Sequence, residues 1–248
     1  MARKRKLFDP ASAAPFAISR SGIELFVDCP RCFYFDKRLG CSRPAGLPFT
    51  LNSAVDTLSK REFDEYREKA LPHPLMTQAG IDAVPFAHPD LDRWRDNRRG
   101  IRFFHEPSGF DVYGAVDDIW KNSQGELILV DYKATAKAAD VTELNEDWHE
   151  AFKRQINIYQ WLVRRNGFTV SPTAYWVYAN GDVAAKRFDQ TLRFRMTVIP
   201  YEGSDDWVEP RIMAARDCLM NETPPAPATK CPHCSFAAER LAYAAKAN

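Results

Sequence analysis

The run Leu127-Ile128-Leu129-Val130 is apolar without alternation, as expected of a central strand buried on both faces. Around it the pattern predicts further strands at Ile101 to His105, Phe110 to Trp120 and Glu126 to Tyr132, with Asn122-Ser123-Gln124-Gly125 as a turn. Thr173 to Tyr178 and Lys186 to Ile199 follow as two more strands, joined near Asn180-Gly181-Asp182. Helical spacing appears elsewhere. Ser19 or Ser21 can cap a helix through Phe26, with Glu24 as the capping-box partner of Ser21, and the turn Cys29-Pro30-Arg31-Cys32 interrupts it. Asn52 to Lys69 carries Val55, Leu58, Phe63 and Tyr66 near helical spacing against a charged face. Leu91 to Arg99 reads as a short basic helix, Asn145 to Asn166 as a long one stopped by Gly167, and Asp206 to Met220 as another. Pro44 to Pro48, the four-proline segment Leu71 to Pro89 and Thr223 to Pro227 read as irregular. Helices alternating with strands predict an α/β or α+β fold with a mixed central sheet.

Composition narrows the picture. The chain has 248 residues, 45% hydrophobic and 27% charged, enough to bury a core. No run of eighteen apolar residues occurs, so no membrane helix is expected. The basic start, Arg3-Lys4-Arg5-Lys6, lacks a following apolar region, so it is no secretory signal; it reads as a solvated tail over residues 1–17, with a phosphate-binding arm as the alternative, and a cytoplasmic protein is expected. With a net charge of +1, contact with nucleic acid must use a local basic track. Lys137, Lys153 and Arg154, with Arg164 and Arg165, are the candidates, against the plainer alternative of a solvated helix face.

The chemistry concentrates in two places. Asp117 closes one predicted strand and Asp131-x-Lys133 closes the next. Alternation puts Asp131 and Lys133 on one face, and a hairpin can bring Asp117 beside it. Two converging carboxylates repel unless a cation lies between them, and hard oxygen ligands suit Mg²⁺ or Mn²⁺. A neighbouring lysine can hold a phosphate or a water, which completes the parts for phosphodiester hydrolysis. The second place is a pair of Cys-x-x-Cys turns, Cys29/Cys32 and Cys231/Cys234, which favour a bound metal over disulfides. Four thiolates suit zinc or an iron–sulfur cluster. Cys41 and Cys218 read as ordinary thiols, with Cys218 as a substitute for Cys32; His105, His149 and His233 read as structural or surface residues.

In order and spacing, Gly114-x-Val116-Asp117, Asp131-x-Lys133 and Gln155-x-x-x-Tyr159 resemble the PD-(D/E)XK nucleases. The RecB-like branch, with the CRISPR-associated iron–sulfur exonucleases, is the most similar; the opening Ser19-x-Ser21-x-Ile23 to Cys29-Pro30-x-x-Phe33-Tyr34 and the late cysteine pair also resemble it. The resemblance implies a restriction-endonuclease-like mixed sheet flanked by helices. It implies one nuclease domain over residues 18–236, with a helical insertion about 52–100, a cysteine clasp and a terminal helix at 237–248. It makes Asp117, Asp131 and the Tyr132 carbonyl ligands of Mg²⁺ or Mn²⁺, Lys133 the residue that orients water or phosphate, and Gln155 and Tyr159 their neighbours on one helix face. It points to a [4Fe–4S] cluster on the cysteines, with zinc as the alternative. Asp56 stands where the branch has a histidine ligand, either as a substitute ligand or as a solvated acid. The implied substrate is DNA, single-stranded or with free ends, cut by an exonuclease in repair or CRISPR adaptation, with a helicase or adaptation protein as partner. The rivals are a non-catalytic nucleic-acid-binding module and a nuclease subunit that needs its partner.

Overall fold

The structure is a computed structural model that describes residues 6–47 and 49–246. The chain forms two compact units, each assembled from separate segments: Met1–Leu47, Phe104–Val112 and Asp206–Asn248 in the first, Pro48–Phe103 and Tyr113–Asp205 in the second. The segment expected as an insertion about 52–100 belongs wholly to the second unit.

In the first unit, strand β1 (Phe16–Ser19) leads into helices α1 (Arg20–Asp28) and α2 (Pro30–Lys37). Ser19 is the cap: its hydroxyl accepts from the Gly22 N–H at 3.1 Å, satisfying a donor that the first turn leaves free. Cys29 ends α1 and begins α2, with Pro30 in the first position, where a missing N–H costs nothing. Residues 1–5 of the expected tail lie outside the described residues. Further along, the tail expectation fails. Phe8 is buried, its N–H donates to the Lys37 carbonyl at 2.8 Å, and its ring meets Phe16 and Phe110 edge-on. Burying that ring orders the segment.

In the second unit, helices α3 (Thr50–Glu68) and α4 (Pro74–Gln78), strand β2 (Ala83–Pro85) and helix α5 (Leu91–Arg95) come first. Strands β3 (Ile101–His105) and β4 (Phe110–Gly114) follow, their stretch Phe104–Val112 belonging to the first unit, and with β1 of that unit they give a three-stranded sheet of order β1-β4-β3. Then come β5 (Asp118–Asn122), β6 (Leu127–Thr135), helix α6 (Glu150–Arg165), β7 (Thr173–Gly181) and β8 (Phe194–Glu202). The main sheet has the order β2-β5-β6-β7-β8. Among the described strands of this sheet β6 and β7 pair in parallel, and α6 is the crossover that a parallel pair requires. The chain closes in the first unit with α7 (Val208–Met220) and α8 (Pro232–Lys246), where Pro210 falls in the first turn of α7. No helix among the described residues is long and apolar enough to cross a membrane.

β6 behaves as its pattern predicts, with Leu127 through Tyr132 all buried. Ile128, Val130 and Tyr132 pack with Phe63, Met76, Trp120 and Val177. Asp131 and Lys133 alternate to the opposite face. Four expectations change. The strand expected from Lys186 to Ile199 runs from Phe194 to Glu202, and residues 182–193 form the connection in place of a tight turn at Asn180-Gly181-Asp182. Phe110 to Trp120 is two strands in different sheets, because the Val116 N–H turns away to the Trp94 carbonyl. Asp117 therefore precedes β5 instead of closing a strand. Leu71 to Pro89 holds α4 and the edge strand β2, where Pro85 is tolerated because an edge needs fewer donors. In α3 only Phe63 is buried, and Leu58 faces solvent.

Candidate active site and cysteine centre

β5 and β6 pair antiparallel with Asp118 opposite Val130, so Asp117 arrives beside Asp131. The Tyr132 N–H donates to Asp117 Oδ2 at 3.1 Å. Lys133 Nζ forms an ion pair with Asp131 Oδ2, and Gln155 Nε2 of α6 donates to Asp131 Oδ1 at 2.7 Å. Tyr159, one turn along α6, lies 3.4 Å from Gln155 Nε2 and is one residue removed from the acids. A cleft of about 750 Å³ opens here, and Asp56, Asp117, Tyr132 and Lys133 line it. Lys137, Lys153 and Arg154 are not part of its wall; Lys137 pairs with Glu146 and Lys153 with Glu150.

The two acids titrate in opposite directions. Burial, only partly offset by Lys133, together with the repulsion of Asp117 pushes the Asp131 carboxyl up to about 7. Asp117 is half-buried, and Lys60 and Lys133 outweigh the cost of its burial and hold its pKa below the ordinary value. Burial and Asp117 raise Asp56.

Lys60 is the site residue that spacing alone does not reveal. From α3 its ammonium lies 2.8 Å from Asp56 and 3.1 Å from Asp117, placing a cation between the two carboxylates. The three acids accordingly do not draw their oxygens within 4.8 Å of one another. Asp118, adjacent to Asp117, has a different task. It is fully buried and accepts from Arg67 at 2.6 Å, Arg95 at 3.0 Å and the Tyr132 hydroxyl at 2.7 Å. Arg95 also binds the Asp117 carbonyl at 3.0 Å and the Asp64 carboxylate. This network supports the acids from beneath.

The chemistry fits a divalent cation. Asp131 is a buried oxygen donor and Asp117 a half-buried one beside it, and burial with the neighbouring Asp117 charge disfavours an ionised Asp131 that has no cation bound. Such an ion would be held by these two carboxylates.

In the first unit, Cys29, Cys32, Cys231 and Cys234 place all four sulfurs within 4.8 Å of one another. Cys32 lies 3.6 Å from Cys231 and from Cys234, and Cys29 lies 3.8 Å from Cys234. Burial raises the Cys29 thiol, but N–H groups of Ala228 and Cys32 and the neighbouring thiols bring it down to about 6. Arg43 adds a guanidinium 3.5 Å from Cys231. Cys218 stands apart, buried against the Pro30 carbonyl, so Cys32 supplies the fourth sulfur; Cys41 is exposed.

A family model described as the PD-(D/E)XK nuclease superfamily matches residues 17–238. The chain belongs to the PD-(D/E)XK nuclease superfamily. Asp117, Asp131 and Lys133 thus lie within the matched region of a PD-(D/E)XK nuclease. No curated protein sequence matches the chain. A solved structure titled "Crystal structure of SSO0001" is similar at 15% identity and a TM-score of 0.42, over 90% of this chain and 84% of that one.

Proposed function

We propose that this PD-(D/E)XK nuclease is a metal-dependent deoxyribonuclease acting as an exonuclease on DNA that is single-stranded or has free ends. The observation that carries the reading is the convergence of Asp117, Asp131, Lys133 and Gln155 beside one open cleft. Asp117 and Asp131, with the Tyr132 carbonyl, are the ligands of one Mg²⁺ or Mn²⁺. Asp56 joins them only when Lys60 releases it. The bound ion supplies charge that lowers the pKa of water and offsets the phosphate. Gln155 fixes Asp131 Oδ1, so that the carboxylate is aimed before substrate arrives. Lys133 contributes an ammonium to the phosphate as negative charge builds on it. Tyr159 positions Gln155.

End-labelled single-stranded DNA incubated with Mn²⁺ tests this. Wild type should shorten it and Lys133→Ala should not, while both melt at similar temperatures. Equal cutting by both proteins, or none by wild type, sinks the assignment.

For the cysteine centre the sulfur spacing supports zinc over the [4Fe–4S] cluster. Four thiolates around one ion at about 2.3 Å form a tetrahedron with edges of about 3.8 Å. The sulfur separations of 3.6 to 3.8 Å agree with that edge. A four-iron cube binds each thiolate through a different iron and holds the sulfurs farther apart. Repair or CRISPR adaptation, with a helicase or adaptation protein as partner, is the setting that the family suggests.

A further inference from the structure

An aromatic ladder leads outward from Lys133. Its ammonium lies over the Phe152 ring at 4.6 Å. Phe152 meets Trp148 edge-on, with centroids 5.4 Å apart. Lys137 lies over the Trp148 ring at 5.4 Å. Phe49 lines the same cleft as Trp148 and Phe152. Cation, ring, ring and cation thus succeed one another from the acids toward solvent.

Core packing does not account for these rings. Trp148 is 48% exposed and Phe49 is 78% exposed, although each is large and apolar. Trp148 is nevertheless held. Its indole N–H donates to Glu146 at 2.6 Å, and Glu146 also binds Lys137 at 3.0 Å. One carboxylate therefore fixes both the ring and the cation beside it. A rigid, solvent-facing aromatic face next to a lysine suits a base stacked on the ring with its phosphate on the ammonium.

Resting on the nuclease reading, we propose that Trp148, with Phe49 in the same cleft, is a base-stacking subsite that selects unpaired nucleotides. Bases in a duplex already stack on their neighbours and cannot offer a face to Trp148 without unpairing. A strand with free bases can. The subsite would position the nucleotide next to the scissile phosphate and leave Lys133 and the acids to the chemistry.

The test uses the full chain and a fluorescein-labelled phosphorothioate (dT)12, which resists cutting, alongside an abasic strand of equal length and a duplex. Wild type should bind the thymidine strand more tightly than the abasic strand or the duplex. Trp148→Ala should weaken the thymidine strand roughly 5- to 150-fold, leave the abasic strand unchanged and abolish the preference. Trp148→Phe should keep most of it. Equal binding of abasic and base-bearing strands by wild type overturns the proposal, even if the alanine variant does not fold. So does equal binding of the thymidine strand by wild type and Trp148→Ala, or no oligonucleotide binding at all. The readout is separate from turnover. A wild type that cuts nothing but discriminates through Trp148 defeats the nuclease reading alone. Cutting with no discrimination defeats this proposal alone.

Discussion

Two adjacent aspartates should fail in opposite ways when neutralised. Asp118→Asn is the sharper case. In the native protein this fully buried carboxylate receives Arg67 at 2.6 Å, Arg95 at 3.0 Å, the Tyr132 hydroxyl at 2.7 Å and the Ile119 N–H at 2.8 Å. Arg67 and Arg95 are balanced by two acids, Asp118 and Asp64. Asparagine has nearly the same size and keeps an acceptor, so no cavity forms. What is lost is one of the two negative charges facing two guanidinium groups, and an uncompensated buried charge costs about 3–5 kcal/mol. For a chain of this length that is a fall in Tm of roughly 6–20 °C. Asp117→Asn removes the attraction of Lys60 and Lys133 but also the repulsion of Asp131, so its net effect on stability should stay within about 1 kcal/mol. The assay is thermal melting of metal-free wild type, Asp117→Asn and Asp118→Asn, followed by cutting of single-stranded DNA below each midpoint. Asp118→Asn should melt early and retain activity while folded; Asp117→Asn should melt like wild type and be inactive. An Asp118→Asn protein that melts within about 2 °C of wild type would refute the claim that this acid anchors the network.

Further outcomes follow from the same groups. The folded pKa of Asp131, about 7, lies above its unfolded value, so its contribution to stability is full below about pH 4 and is lost as pH rises through 7. Metal-free wild type should lose roughly 2–3 kcal/mol between pH 5 and 8 by melting, whereas Asp131→Asn should not; parallel curves would exclude the raised carboxyl. Metal analysis should find one zinc per chain and no iron; Cys32→Ser should lose that zinc and melt lower, and a stoichiometric iron content would overturn the assignment. At Gly100, a Cβ would lie 2.4 Å from the Gly114 carbonyl oxygen, and its φ of +60° disfavours side chains. Gly100→Ala should therefore cost about 2–4 kcal/mol, seen as an early melt.

What could be read from the sequence was local. The unbroken apolar run of β6 announced a strand buried on both faces, and period-two alternation then placed Asp131 and Lys133 together on the face that Gln155 reaches from α6. Ser19 announced its helix through a cap that acts over three residues. The paired cysteines announced a shared site because thiols at that spacing have few other uses. What stayed hidden depends on distant partners. Lys60 resembles any exposed helix lysine until α3 sets it against Asp117, 57 residues away. The family spacing singles out Asp117, but nothing local gives Asp118 its task; the break before β5 sends Asp117 to the cleft and Asp118 to two arginines on α3 and α5. β2 is three residues long and contains a proline, too short to show a period.

Charge accounting around the cleft links these observations. Asp56, Asp117 and Asp131 bring three carboxylates, and Lys60 and Lys133 bring two ammonium groups. Lys60 satisfies Asp56 and one oxygen of Asp117, while Lys133 satisfies one oxygen of Asp131. One negative charge remains without an equal partner in a buried place, where an unpaired charge is costly. A proton on Asp131 removes it, and that carboxyl, fully buried and next to Asp117, is raised to about 7, with Asp56 raised beside it. A divalent cation held at the proposed site by Asp117 and Asp131 would remove it as well, in place of that proton. The proton that Asp131 holds below about pH 7 and the cation of the proposed site therefore answer the same excess of negative charge, which the two lysines already reduce.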